Sequence, residues 1–295
     1  MDYVESTSKR DASGSPPALP AAQEIVVEGG RAHLSTVMLH ELWAYREVLR
    51  AFTIRRVKVR YKQAAFGLGW AVVQPVVTSL LFAVFLGRVA RVGSEGVSYF
   101  IFALVGMTVW TFFSNAVTGG LNSLVTDSGL LRKVYFPREV APLSAVLAAT
   151  VDLVPALVAL VASLGLAGFR PTFYWLLAPL PILLALLFAV ALSLAMSAVN
   201  VYYRDVGFVL PFVLQVGLFA TPIIYSLQQL PRGVRASYGV LNPVAAAIDT
   251  LRRLFLHGTG PQWSVLLLAY AWTLLLLLAS YSLFKRLERG FSDRV

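Results

Sequence analysis

The chain has 295 residues, of which 58% are hydrophobic and only 14% charged, with a mean hydropathy of +0.71. Soluble domains carry roughly 45–50% apolar and about 25% charged residues, and surface-to-volume scaling would leave too much of this apolar surface wet. A soluble domain, a disordered chain and, with no cysteine, a disulfide scaffold are excluded; the formal charge of +10 need not mean nucleic acid, because in a membrane protein the position of basic residues outweighs their sum.

Residues 1–33 read as a disordered cytosolic tail, rich in Ser, Pro and Ala, with Pro16, Pro17 and Pro20 and no apolar run. They lack the charged start and apolar centre of a secretory signal. From Leu34 to Phe52, Val37, Leu42, Leu49 and Phe52 alternate with Glu41, Arg46, Glu47 and Arg50, while Trp43 and Tyr45 suit a headgroup region. This pattern predicts a helix lying on the cytosolic leaflet or packed on another chain, and the two are compatible.

A spanning helix needs about 20 mostly apolar residues. Six segments qualify, at about 67–86, 99–121, 140–164, 173–199, 206–225 and 263–284. Their near-continuous apolar runs predict an all-α integral membrane domain over 34–295, since in lipid a helix satisfies its own backbone and a barrel would alternate. Assigning the loops to alternate sides puts 18 Lys and Arg on the side of both termini and 7 on the other. The positive-inside rule then places both termini in the cytosol. The segment from Ser226 to Gln262 is the exception, with Arg232, Arg235, Arg252 and Arg253 on the external side and an apolar stretch at 240–256. It is either a pair of short re-entrant helices, the second opening at Asn242-Pro243, or a plain external loop. Re-entrant backbone requires cover from protein or a water-filled cavity.

The residues for most catalytic chemistry are missing. There is no G-x-x-x-x-G-K-[ST] for nucleotide phosphates, and His33, His40 and His257 are too scattered for a metal site. No nucleophile elbow occurs, and Asp152 is the one acidic residue inside a predicted span, so there is no acid/base pair. A channel, a permease or a partner-driven transporter fits better than an enzyme. An integral membrane glycosyltransferase would want a cytosolic D-x-D-like metal site, which is absent.

Four motifs narrow the class. They are Val59-Arg60-Tyr61-Lys62-Gln63 with Leu68-Gly69-Trp70 and Gln74-Pro75; Leu131 to Arg138 (LRKVYFPR) with Pro142; Asn200 to Val206 (NVYYRDV) leading to Leu214-Gln215 and Phe219 to Tyr225 (FATPIIY); and Leu241-Asn242-Pro243 with Ile248 and Arg252. In this order and spacing the chain resembles the membrane subunit of an ABC-2 type transporter, and within that class the exporters of O-antigen, capsule or teichoic acid. The resemblance covers Leu34 to the C-terminus. It implies a homodimer in the cytoplasmic (inner) membrane, working with two copies of a separate ABC ATPase. ATP and Mg would be held by that partner, with no cofactor or metal on this chain. It implies a lipid-linked polysaccharide as cargo; an ABC-2 exporter of a drug or small lipid is the alternative.

Under that resemblance, Arg132, Lys133, Tyr135, Phe136, Pro137 and Arg138 form a loop that couples to the ATPase, with ordinary juxtamembrane charge as the plainer reading. Tyr202, Tyr203, Arg204 and Asp205 make a cytosolic turn, serving coupling, cargo contact or simply a rigid corner, and Arg204 and Asp205 are spaced to pair. A sugar path should mix aromatic platforms with hydrogen-bonding groups. Trp110 and Phe113, and Phe208, Phe212, Gln215 and Phe219 at i, i+4, i+7 and i+11, form stripes that either line such a path or pack elsewhere. Asp152, about 18 Å into its span, calls for a partner, with Asn200 and Arg204 in prospect. Gly106, Gly119 and Gly120 would let helices approach closely.

Overall fold

The computed structural model describes residues 43–62, 64–131 and 136–291. The predicted tail at 1–33, residues 34–42 of the predicted interfacial helix, and Arg132, Lys133 and Tyr135 lie outside these residues. Within them every regular element is helical.

Helix α1 (Arg46–Tyr61) carries Arg50, Arg55, Arg56, Lys58 and Arg60 and extends nine residues beyond the predicted end at Phe52. No Gly or Pro interrupts the chain until Gly67, so nothing in the sequence stops it sooner. After a single 3₁₀ turn, α2 (Trp70–Phe82) continues through a π-helical stretch to Val89. The remaining long helices are α3 (Tyr99–Thr126), α4 (Val140–Leu166) and α5 (Pro179–Tyr202), the last preceded by a 3₁₀ turn at Phe173–Leu177. Next come α6 (Val206–Ala220), the short α7 (Arg232–Leu241) and α8 (Pro243–Phe255), and finally α9 (Trp263–Glu288).

Among the described residues, five helical segments are long and apolar enough to cross a membrane: Gly67–Val89, Tyr99–Thr126, Val140–Leu166, Phe173–Tyr202 and Trp263–Glu288. The chain is therefore a multi-pass membrane protein. The predicted end of the 206–225 span is a correction. Its helix α6 has 15 residues and ends at Ala220, because Thr221 precedes Pro222, whose ring pushes the preceding residue out of the α region, here to ψ 141°. Beyond it, α7 and α8 stand where two short helices were predicted, and Asn242 caps α8 by accepting a hydrogen bond from the Ala245 amide at 3.2 Å.

Helix α3 is the axis of the bundle. Of its most apolar stretch 83% is buried within the protein, against 11% for the first span. It packs on α2, α4, α5 and α8. A Cβ on Gly120 would overlap Ser193 of α5, so these two backbones touch only because the residue is glycine. Ser193 Oγ donates to the Ala116 carbonyl at 3.3 Å and Asn200 Nδ2 to the Leu121 carbonyl at 3.1 Å, fixing α5 on α3. Gly119 has a looser contact, its Cβ position 3.5 Å from Ala145.

Candidate functional site

One face of the otherwise apolar α3 carries Thr108, Thr111, Asn115, Thr118 and Asn122, at helical spacings of three and four. They open on a cavity of about 490 Å³ bounded by α2, α4 and the end of α1, where Arg60, Tyr61, Gln74 and Asp152 complete a polar lining. A second cavity of about 290 Å³ shares Gln74, Thr111, Asn115 and Thr118 and adds Thr78, Trp110 and Gln215 of α6. Together they form one polar track between α2, α3, α4 and α6. Pro75 and Pro211 sit on its walls. Each removes a backbone N–H, leaving the carbonyls of Ala71 and Gly207 without a helical partner, a condition tolerated at membrane depth where a cavity is close by.

At one end of the track, Asp152 forms an ion pair with Arg60 and accepts the Tyr61 hydroxyl hydrogen bond at 2.8 Å. Its partners are thus the last residues of α1. Neither Asn200, which is held by the Leu121 carbonyl, nor the exposed Arg204 takes that part. Asp127 likewise pairs with Arg56, and with Arg55 at 3.5 Å, while Arg56 Nε donates to Ser144 Oγ at 2.9 Å. Burial lowers the Arg56 pKa from its ordinary value, and the Asp127 charge works the other way. The contacts Phe52–Phe136, Arg56–Ser144 and Arg60–Asp152 advance together along both helices, so α1 is docked alongside α4 and runs in the same direction.

The aromatic residues divide. Trp110 lines the second cavity and packs 3.0 Å from the Cβ position of Gly217, while Phe113 turns away from it and stacks on Phe188 of α5 at 5.4 Å. Phe208, Phe212 and Phe219 are exposed on the outer side of α6, and of that stripe Gln215 alone reaches the track. Phe136 is buried against Phe52 with ring centroids 5.0 Å apart, beside Pro137 and Arg138. Tyr203, Arg204 and Asp205 are exposed, and Arg204 and Asp205 form no ion pair with each other; Tyr202 points to the end of α9. The polar face of α3 is the feature that sequence reasoning missed. Its signal was available as five polar residues at spacings of three and four inside an apolar run.

The model of the family described as ABC-2 type transporter matches residues 47–256, from the first turn of α1 to the end of α8. The chain belongs to that family. Among curated relatives, an O-antigen export system permease protein RfbA of Myxococcus xanthus is 30% identical over 260 residues, covering 88% of this chain and 99% of that protein. A protein of the same name from Klebsiella pneumoniae is 26% identical over 262 residues, with the same coverage.

In this ABC-2 family member the motifs that lie far apart in sequence meet at the end of the bundle opposite the α1 docking site. Arg252 of α8, 2% exposed, donates to the carbonyls of Ile223 at 2.6 Å, Pro222 at 2.8 Å, Phe102 at 3.2 Å and Tyr225 at 3.3 Å. Its guanidinium lies 3.5 Å from the Phe102 ring centroid, and a Cβ on Gly106 would come within 3.1 Å of Nη2. Asn242 donates to Thr221 Oγ1 at 3.0 Å. Glu95, in the loop before α3, accepts from Ser226 and contacts His257 Nε2 at 2.6 Å. Burial opposes ionisation of Glu95, but these two hydrogen bonds and the charge of Arg252 bring its pKa below the ordinary carboxylate value. Of the four arginines that break the charge pattern, Arg252 is thereby accounted for as an internal strut by its carbonyls, while the partly exposed Arg253 pairs within its own helix with Asp249 at 3.2 Å. Arg235 Nε also caps the Leu230 carbonyl at 2.6 Å.

Proposed function

We propose that this chain is the transmembrane subunit of an ATP-driven exporter that moves a lipid-linked polysaccharide of the O-antigen type across the cytoplasmic membrane. The observation that carries the reading is the polar track through an apolar bundle, in a chain whose relatives are named as O-antigen export permeases. Sugar hydroxyls leaving water need replacement hydrogen bonds, and the amides and hydroxyls of Asn115, Asn122, Gln74, Gln215 and the threonines offer both donors and acceptors. Trp110 adds an aromatic wall for the CH face of a sugar ring.

ATP and Mg bind a separate ATPase present in two copies, and this chain contributes no catalytic group. Six crossings place both termini in the cytosol, with α6 completing the count as a short span and α7 and α8 re-entering from outside. Two copies of the chain face each other. Such an arrangement gives the exposed Phe208, Phe212 and Phe219 a partner or a path to line. Phe136 sets the position of the coupling loop from within, through its packing on Phe52.

The test is export of lipid-linked glycan by the complex in membrane vesicles, with ATP hydrolysis measured alongside. Asn115→Leu should slow export about tenfold, the equivalent of one lost hydrogen-bonding group at 1.4 kcal/mol per decade, while the chain still inserts. Export at the normal rate by that variant would remove the track from the path. Phe136→Ala is expected to lower transport-coupled ATP hydrolysis with insertion intact, and normal coupling would dismiss the loop's role.

A further inference from the structure

We propose that α9 is a strut that carries movement of the cytosolic coupling loop to the short helices α7 and α8 at the opposite end of the bundle; this rests on the exporter reading above. A chain end beyond a last span ordinarily frays unless something ties it down. Here Phe291 is 1% exposed, edge-on to Phe284 at 5.9 Å and beside Tyr202 at 6.0 Å. The Arg138 guanidinium sits 5.5 Å over the Phe291 ring, and its Nη1 donates to the Glu288 carbonyl at 3.0 Å. The Tyr202 hydroxyl donates to the Leu287 carbonyl at 2.8 Å.

A charged pair completes this clasp. Lys285 pairs with Glu139, and also with Glu288 at 3.0 Å. Glu139 is 3% exposed; Lys285 meets its Oε1, and its Oε2 has no hydrogen-bond partner. Burial and the like charge of Glu288 push its carboxyl above the ordinary range, and Lys285 opposes them. The loop before α4, the end of α5 and the end of α9 are thus one cluster, although they come from residues 138–139, 201–202 and 284–291.

The other end of α9 bears on the outer helices. Val265 Cγ1 lies 2.9 Å from the Cβ position of Gly239 in α7, and Leu266 and Ala269 share a core with Val244, Leu251 and Phe255 of α8. Midway, the Tyr270 hydroxyl donates to the Leu180 carbonyl at 2.6 Å. A 26-residue helix is about 39 Å long, and close-packed side chains shift as a body rather than compress. A displacement of residues 138–139 therefore reaches α7 and α8 through α9, which moves together with α5 packed along it.

The chain has no cysteine, so a single reporter is free of background. Ser237→Cys on the exposed side of α7 would be labelled with a membrane-impermeant maleimide in vesicles holding the chain and its ATP-binding partner. The expected result is a labelling rate that changes on ATP addition, a loss of that change in Lys285→Glu or Glu139→Lys, and its return in the charge-swapped double variant. Export per ATP should fall about fivefold or more in the single variants and recover in the double, the range of an ordinary coupling energy. A merely structural pair would lower the amount of folded protein without altering export per ATP. An ATP-dependent change that persists in Lys285→Glu, or no rescue in the double variant, overturns the strut. Absence of glycan export from the unmodified complex overturns the exporter reading and the strut together.

Discussion

Arg252→Ala is expected to destabilise the protein by about 4 kcal/mol or more and to lower the yield of folded chain. The side chain donates to four carbonyls from two segments, and its Nη2 reaches Phe102 and Ile223 together. Truncation strands these acceptors in a buried place, where each unsatisfied group costs about 1–3 kcal/mol. It also removes the guanidinium from the Phe102 ring and opens a cavity beside Gly106. Thermal unfolding of the purified chain in detergent would measure the loss. Arg252→Lys should recover only part of it, since an ammonium cannot spread its donors over several carbonyls as a planar fork does. A melting temperature unchanged in the alanine variant would mean that the turn at 221–225 holds itself.

Removing either partner of the Arg60–Asp152 pair should cost more than removing both. Asp152 lies in the wall of the track and is 8% exposed. Arg60→Ala leaves its carboxylate with the Tyr61 hydroxyl alone; because the Arg60 side chain is 36% exposed, the cost falls below the about 3–5 kcal/mol of a fully buried pair. Arg60→Ala combined with Asp152→Asn takes away both charges, so its cost should fall well below the sum of the single losses. The single variants should also release the end of α1 from α4 and depress export. A double-mutant cycle on melting temperature, with export followed in parallel, provides the check. Additive single effects would show that the two charges act independently.

The elements were legible where composition alone determines them. The starts at Tyr99, Val140, Phe173 and Trp263 coincide with those predicted, because a long apolar run in lipid has helix as its one way to satisfy the backbone. The end of α6 was misjudged by reading hydropathy past Thr221-Pro222, although the proline carried the stop signal. In the site, Trp110 and Gln215 were found because their spacing is local, whereas Phe113 was not separated from them: which side of a buried helix meets a cavity depends on neighbours distant in sequence. Asp152 was recognised as needing a partner, but Arg60 lies 92 positions away on a helix whose docking no periodicity encodes.

By itself the sequence determined a multi-pass helical membrane chain, its family motifs and the absence of its own nucleotide loop, since these follow from composition and local pattern. Only the tertiary structure decided that α3 is the axis, that its polar face opens on a track, and that Arg252 is an internal strut. Those outcomes depend on long-range packing and on hydrogen bonds between segments 79 to 150 residues apart, such as Asn200 to Leu121, Arg252 to Phe102 and Arg138 to Glu288. A buried polar group takes whatever partner the fold brings within reach, and the fold is set by the packing of all the helices at once.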